Sequence, residues 1–240
     1  MNYKYQLKNI SQNIKSIFRY NLKIIFANKF IYFLLAAMGI FLLVTIINLL
    51  DSDSNPSDGM VYYLLLVPGI LIIFYPTTFG IQNDVDTRMI EILFGIPNYR
   101  YKVWLVRIAL IYVVVFSILL TLSLLSSVAL VTVPIFQMVF QLMFPIFFLG
   151  CLAFMVSTLI RNGNGTAVVI IIIGMAFWIL SEPLATSRWN LFLNPFSVPS
   201  DVNEAVWMET TFNNRMYLVI GTIITILFGL LNLQKREKFV

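Results

Sequence analysis

Six runs of mostly apolar residues constrain this chain more than anything else in it. They cover residues 30–50, 60–81, 103–127, 135–160, 166–180 and 216–233. A membrane-spanning helix needs about 20 such residues, and a spanning segment must satisfy every backbone N–H and C=O within itself, which favours helix. The expected fold class is therefore all-α integral membrane, with six transmembrane helices. Pro68 and Pro76 fall inside the second run and Pro145 inside the fourth, as kinks that a bundle tolerates. The fifth run is unusually short. Arg107 lies near the start of the third, where its long side chain is expected to snorkel to the interface. The composition agrees: 60% of residues are hydrophobic and 11% charged, against about 25% charged in a soluble domain.

The net charge of +5 is distributed by side. Lys4, Lys8, Lys15, Arg19, Lys23 and Lys29 precede the first run. Arg88, Arg100 and Lys102 lie between the second and third, Arg161 between the fourth and fifth, and Lys235, Arg236 and Lys238 after the sixth. With Arg107, that places fourteen of the sixteen bases on one side and leaves Arg188 and Arg215 on the other. Basic loops stay cytoplasmic, so both termini are expected in the cytoplasm, in keeping with an even number of spans. The basic start and the extended first run do not read as a cleavable secretory signal.

Several functions drop out on composition. The chain has no histidine, which removes Ser-His-Asp catalysis, His-ligated zinc and imidazole proton shuttling. Its single cysteine, Cys151, sits in an apolar run and reads as a packing residue with no disulfide partner. No soluble basic domain exists to bind nucleic acid. No site for a catalytic metal or organic cofactor is expected, and no catalytic residue is assigned.

Three polar stretches are left to carry function. In residues 1–29, Leu7, Ile10, Ile14, Ile17, Phe18, Leu22 and Ile25 recur at helical spacing, with Lys4, Lys8, Lys15, Arg19 and Lys23 on an adjoining stripe. Such a helix lies in the headgroup plane with its bases toward anionic lipid, either as an anchor alone or also touching a cytoplasmic partner. The loop before the third run can form a short helix over about 87–95, capped by Asp84 or Asp86 and stopped by Gly95 and Pro97. Its apolar face is Met89, Ile90, Leu93 and Phe94, and its polar face Arg88 and Glu91. That pattern suits docking into a groove on a soluble partner, or packing beneath the bundle or on lipid.

The third stretch, residues 181–215, is too long to be structureless. It contains Glu182-Pro183, Trp189, Leu193-Asn194-Pro195-Phe196 and a capping-box-like start at Asp201 to Glu204 of a short helix through Glu209. Trp189 and Trp207 read as interface anchors. The short fifth run suggests that the loop is re-entrant, either as a lid over a pathway or as a simple closure of the bundle.

Taken in order along the chain, these features resemble a family. A basic amphipathic N-terminal helix, six spans with both ends inside, Glu91-Ile92-Leu93-Phe94-Gly95-Ile96-Pro97 before a basic Tyr99-Arg100-Tyr101-Lys102, and Asn194-Pro195-Phe196 between the fifth and sixth spans are similar to the ABC-2 type permeases. These are the membrane subunits of ATP-binding cassette exporters, and the resemblance covers essentially the whole chain. It implies a type V exporter-like fold: an interfacial connecting helix at 1–29 including Arg19, Lys23 and Lys29, and a transmembrane domain over 30–240. It also implies a coupling helix at about 87–95, with Arg88, Glu91, Ile92, Leu93, Phe94 and Pro97 receiving the ATPase. An outer gate would be formed by Glu182, Asn194, Pro195 and Phe196.

No Walker A sequence is present, since Arg161-Asn162-Gly163-Asn164-Gly165-Thr166 lacks its lysine. The resemblance thus implies a partner ATPase that binds ATP and Mg, and pairing with a second copy or a related permease. It places the complex in a bacterial inner (plasma) membrane, in contact with lipid, with a further envelope protein as a possible partner.

The mild polar residues of the spans, Thr45, Asn48, Thr121, Ser123, Gln137, Gln141 and Ser157, suit an amphipathic or lipid-like cargo or an apolar peptide better than an ion. The alternative use of the same fold is an envelope-assembly or maturation complex, such as the haem-exporter-like complexes of cytochrome c maturation. A membrane-embedded lipid transferase would need paired acids; Asp84, Asp86 and Glu91 lack the Asp-x-x-x-Asp spacing. A secondary transporter would be expected to show inverted repeats and midplane charges, which are not found.

Overall fold

The computed structural model describes residues 29–51, 55–86 and 100–233, and at 100–102 the backbone alone. Six long helices account for most of them: α1 (Phe30–Leu50), α2 (Asp58–Asp86), α3 (Val106–Ala129), α4 (Ile135–Ile160), α5 (Gly163–Ser181) and α6 (Glu204–Asn232). A π-helical turn, Arg100–Leu105, leads into α3. No strand occurs among the described residues. Each helix is long and apolar enough to cross a membrane, and the protein is a multi-pass membrane protein.

The helices run alternately up and down. Residues 182–203 join α5 to α6 at one end, called here the loop end, and Asp84 marks the opposite end. The first residues of α1 and the last of α6 both lie at the Asp84 end: Phe33 packs on Phe74 and Tyr75, and Asn232 Nδ2 donates to the Thr158 carbonyl at 2.6 Å. The described chain thus enters and leaves on the same side of the bundle.

The most buried helices are α2 and α4, and the least buried are α1 and α5. Around this central pair, α1 packs on α2, α6 packs on α4, and α3 and α5 each touch both. The pair approaches closely through two reciprocal notches. A Cβ on Gly69 of α2 would collide with Ile146 of α4, and one on Gly150 of α4 would lie 2.5 Å from Ile73 Cδ1 of α2. Small residues at such crossings let backbones approach where no hydrophobic effect drives helices together. Pro76 removes one helical N–H donor from α2, and the hydroxyl of the next residue, Thr77, donates to the Ile73 carbonyl at 2.7 Å.

Several boundaries differ from the sequence expectation, among them the end of α2, which runs on to Asp86, five residues past its apolar run. Helix α5 begins at Gly163, so it has 19 residues and rises about 28 Å, close to the hydrocarbon thickness. It starts early because Asn162 caps it, accepting from Gly165 N at 3.1 Å, and Arg161 alone turns the chain, in the left-handed region at φ 60°. The short helix expected near Glu204 to Glu209 is the start of α6, which continues to Asn232 without a break. The irregular segment of the expected 181–215 loop accordingly ends near residue 203. Asn203 caps α6 through Ala205 N at 2.9 Å.

Candidate functional site at the loop end

Residues 182–203 form no helix beyond isolated turns, yet Asn190, Leu191, Phe192, Leu193 and Asn194 are all buried. Irregular backbone inside a membrane protein is tolerated where protein groups answer its polar atoms. Here turn bonds within the segment answer many of them, as from Ser187 N to the Leu184 carbonyl and from Leu193 N to the Asn190 carbonyl, and three asparagine side chains answer others and tie the segment to its surroundings. Asn190 accepts from Phe192 N at 3.0 Å and donates to the Ser181 carbonyl at 3.2 Å. Asn194 accepts from Phe196 N at 3.0 Å and donates to the Gly59 carbonyl of α2 at 2.8 Å. Asn214 of α6 donates to the carbonyls of Arg188 at 2.9 Å and Asn190 at 2.8 Å. Phe196 rests beside Tyr62 with ring centroids 6.1 Å apart, and Phe192 beside Trp178 at 5.6 Å. The segment folds back as a plug, its apolar side chains in the core.

Arg215 stands at the centre of this plug and is 5% exposed. Its Nε donates to Gln141 Oε1 at 2.8 Å, its Nη1 to Asn214 Oδ1 at 2.7 Å, and its Nη2 to the Leu193 carbonyl at 3.1 Å and Tyr62 Oη at 3.4 Å. Four elements, α2, α4, α6 and the plug, therefore meet on one guanidinium. All four acceptors are neutral. Among the described residues the ion pair formed is Arg107–Asp84, far from this site, and no carboxylate lies within ion-pair distance of Arg215.

Residues of α4 and α6 line two adjoining grooves. One, of about 460 Å³, lies at the loop end against Arg215, Gln141, Trp207 and Thr211. The next, of about 400 Å³, runs on between Met143, Phe147, Thr222 and Ile226. Phe140, Phe144 and Val219 line both.

At the opposite end, Arg107 Nη1 donates to Asp84 Oδ2 at 2.6 Å, and both side chains are almost wholly buried. The guanidinium also lies 4.6 Å from the Trp104 ring centroid. The expectation that Arg107 snorkels is corrected: a carboxylate on α2, a full inter-helix loop away in sequence, draws it inward. Asp84 and Asp86 both belong to α2, and the helix expected over about 87–95 lies outside the described residues.

Of the expected gate residues, Asn194 is buried, Pro195 and Phe196 are half-buried, and Glu182 is exposed, its carbonyl accepting from Ala185 N at 3.1 Å. Lys29 is exposed at the start of α1. Arg19, Lys23, Arg88, Glu91, Ile92, Leu93, Phe94 and Pro97 lie outside the described residues. Trp189 is exposed and stacks on Tyr217 at 4.4 Å with Arg188 over both rings, as an interfacial aromatic would. Trp207 is buried and no anchor.

Among the mild polar residues of the spans, Gln141 joins the Arg215 network and Gln137 lines the same groove. Thr45, Thr121 and Ser157 spend their donors on carbonyls of their own helices, and Asn48 Nδ2 donates to the Val44 carbonyl of its own helix at 2.9 Å. Arg215 and Asn214 escape a sequence reading that ends the loop at residue 215. The available signal is the spacing Trp207, Thr211, Asn214, Arg215, Leu218, Thr222, Thr225, Gly229, one helical stripe that runs unbroken into the apolar segment. No protein-family model, no curated protein and no solved structure matches the chain.

Proposed function

We propose that this chain is the membrane permease subunit of an ATP-binding cassette exporter of the ABC-2 type, moving an amphipathic or lipid-like cargo or peptide outward. The observation that carries the reading is the plug. An irregular buried segment, cross-linked by hydrogen bonds and free of covalent ties, closes one end of a six-helix bundle, and a barrier of that kind opens when its polar bonds exchange for water. In this reading the loop end faces outward and both chain termini face the cytoplasm of a bacterial inner membrane, as the sided lysines and arginines favour.

The power stroke then enters at residues 87–95. The Arg107–Asp84 pair ties together α2 and α3, the two stems of that segment, so a pull there is delivered to both helices. A separate subunit hydrolyses ATP. Arg88 and Glu91 guide docking while Ile92, Leu93 and Phe94 supply buried contact, and the plug with Asn194, Pro195 and Phe196 releases cargo.

The test is affinity purification of the tagged full chain from its native membrane in a mild detergent, followed by mass spectrometry. An ATPase carrying a Walker A sequence, at one copy per permease, is the expected partner. Recovery of the chain without one refutes the proposal. The same experiment shows whether the permease pairs with itself or with a related chain.

A further inference from the structure

The loop-end groove carries an unbalanced charge and two unanswered polar atoms on a single helix face. Trp207, Thr211 and Arg215 follow one another at intervals of four on α6, so they share one face. All three line the groove. Trp207 Nε1 and Thr211 Oγ1 are buried with no hydrogen-bond partner. Arg215 has five N–H donors, and its four acceptors are neutral. A cation that is buried, solvated only by dipoles and set on one helix face with two orphan polar groups marks a place where an anion is missing.

The adjoining groove specifies what the anion is attached to. Its lining is apolar apart from Thr222, whose hydroxyl is already bonded to the Leu218 carbonyl at 2.7 Å. From Arg215 to Ile226 along α6 is about 16 Å, roughly the depth of one leaflet of a ~30 Å core.

The geometry points to a binding site for an acidic amphiphile between α4 and α6, its phosphate or carboxylate head at Arg215, Thr211 and Trp207 and its hydrocarbon tail along Phe140, Phe147 and Ile223. The site is argued from this geometry alone. That its occupant is the transported cargo rests on the permease reading.

The experiment uses the purified full chain in a nonionic maltoside detergent, with equilibrium binding of radiolabelled lysophosphatidylglycerol, palmitate and lysophosphatidylcholine. Lysophosphatidylglycerol or palmitate, whichever head the site takes, binds at least about tenfold more tightly than lysophosphatidylcholine, equivalent to about 1.4 kcal/mol. The pair of acidic probes separates a phosphate head from a carboxylate. Arg215→Gln abolishes the preference for acidic heads.

Because Arg215 also holds the plug, a second variant leaves it alone: Val219→Trp fills the tail groove from a position that is 38% exposed. It lowers affinity for the acidic probe at least about tenfold with an unchanged melting temperature. Equal binding of acidic and zwitterionic probes overturns the inference, as does a Val219→Trp variant that binds normally. So does a chain that is dimeric until Val219→Trp separates it and shows no head preference, since a second copy then covers the groove. Each result stands apart from recovery of an ATPase, so either proposal can fail alone.

Discussion

Breaking the Arg107–Asp84 pair is the perturbation whose cost the structure fixes most tightly. The bond is 2.6 Å long between side chains 5% and 2% exposed. Removing one partner of such a pair costs about 3–5 kcal/mol, because the survivor is a buried uncompensated charge, whereas replacing both with apolar residues is close to neutral. The two single variants should not be equal. Asp84→Leu leaves a guanidinium that stays charged and whose Nε already lacks a partner. The Trp104 ring offsets part of this, about 2 kcal/mol for a desolvated cation–π contact. Arg107→Met leaves a carboxyl that can take up a proton and so sheds its charge.

The expected order is therefore Asp84→Leu at least as costly as Arg107→Met, each about 3–5 kcal/mol, and the double variant Asp84→Leu/Arg107→Met within about 1–2 kcal/mol of the parent. The coupling energy then exceeds about 3 kcal/mol. Equilibrium unfolding in maltoside micelles titrated with dodecyl sulfate, followed by circular dichroism, measures all four corners of the cycle. Single-variant costs that simply add in the double variant, within about 0.5 kcal/mol, refute the reasoning: the two charges would then be stabilised separately.

Other substitutions probe the rest of the fold and the proposed coupling. Gly150→Ala places a methyl 2.5 Å from Ile73 Cδ1 and should lower stability in the same titration by about 1–3 kcal/mol; adding Ile73→Val, which deletes Cδ1, should return part of the loss. Asn194→Ala leaves the Gly59 carbonyl and Phe196 N–H without their side-chain partner, a cost of about 1–3 kcal/mol. In a Phe192→Cys background it should also speed maleimide labelling at 192, with little competition from the buried Cys151. Leu93→Asp is expected to uncouple transport-linked ATP hydrolysis while leaving the amount of permease in the membrane unchanged, as seen by hydrolysis assay and immunoblot.

The spans were legible because a bilayer imposes a simple rule on composition. Apolar runs of sufficient length form helices whatever surrounds them, so α1 (Phe30–Leu50) and α4 (Ile135–Ile160) begin and end where their apolar runs do. Polar residues within and beside those runs followed no such rule. Arg107 reads as a snorkelling base until Asp84 is known to face it across a loop of chain, and no spacing argument joins positions 84 and 107. Arg215 reads as one of two bases on the sparsely charged side, since the polar residues from Glu204 to Asn214 look like loop. They are the first turns of α6, with Thr211 and Asn214 buried and apolar residues such as Met208 and Phe212 facing out. Of the asparagines that pin the plug, Asn194 sits in the tripeptide that the sequence singles out, while Asn190 and Asn214 carry no signature of their own.

Helix α2 meets both polar clusters. It offers Gly59 and Tyr62 to the plug and Asp84 to Arg107, and its 29 residues make a rod about 43 Å long. A tilt of about 5° around its middle would carry each end sideways by about 2 Å, turning a bond of about 2.9 Å into one too long to count. Leverage of that kind makes the two clusters sensitive to the same small rotation, so a ligand or partner that grips one end is positioned to loosen or tighten the other without any signal passing through the side chains between.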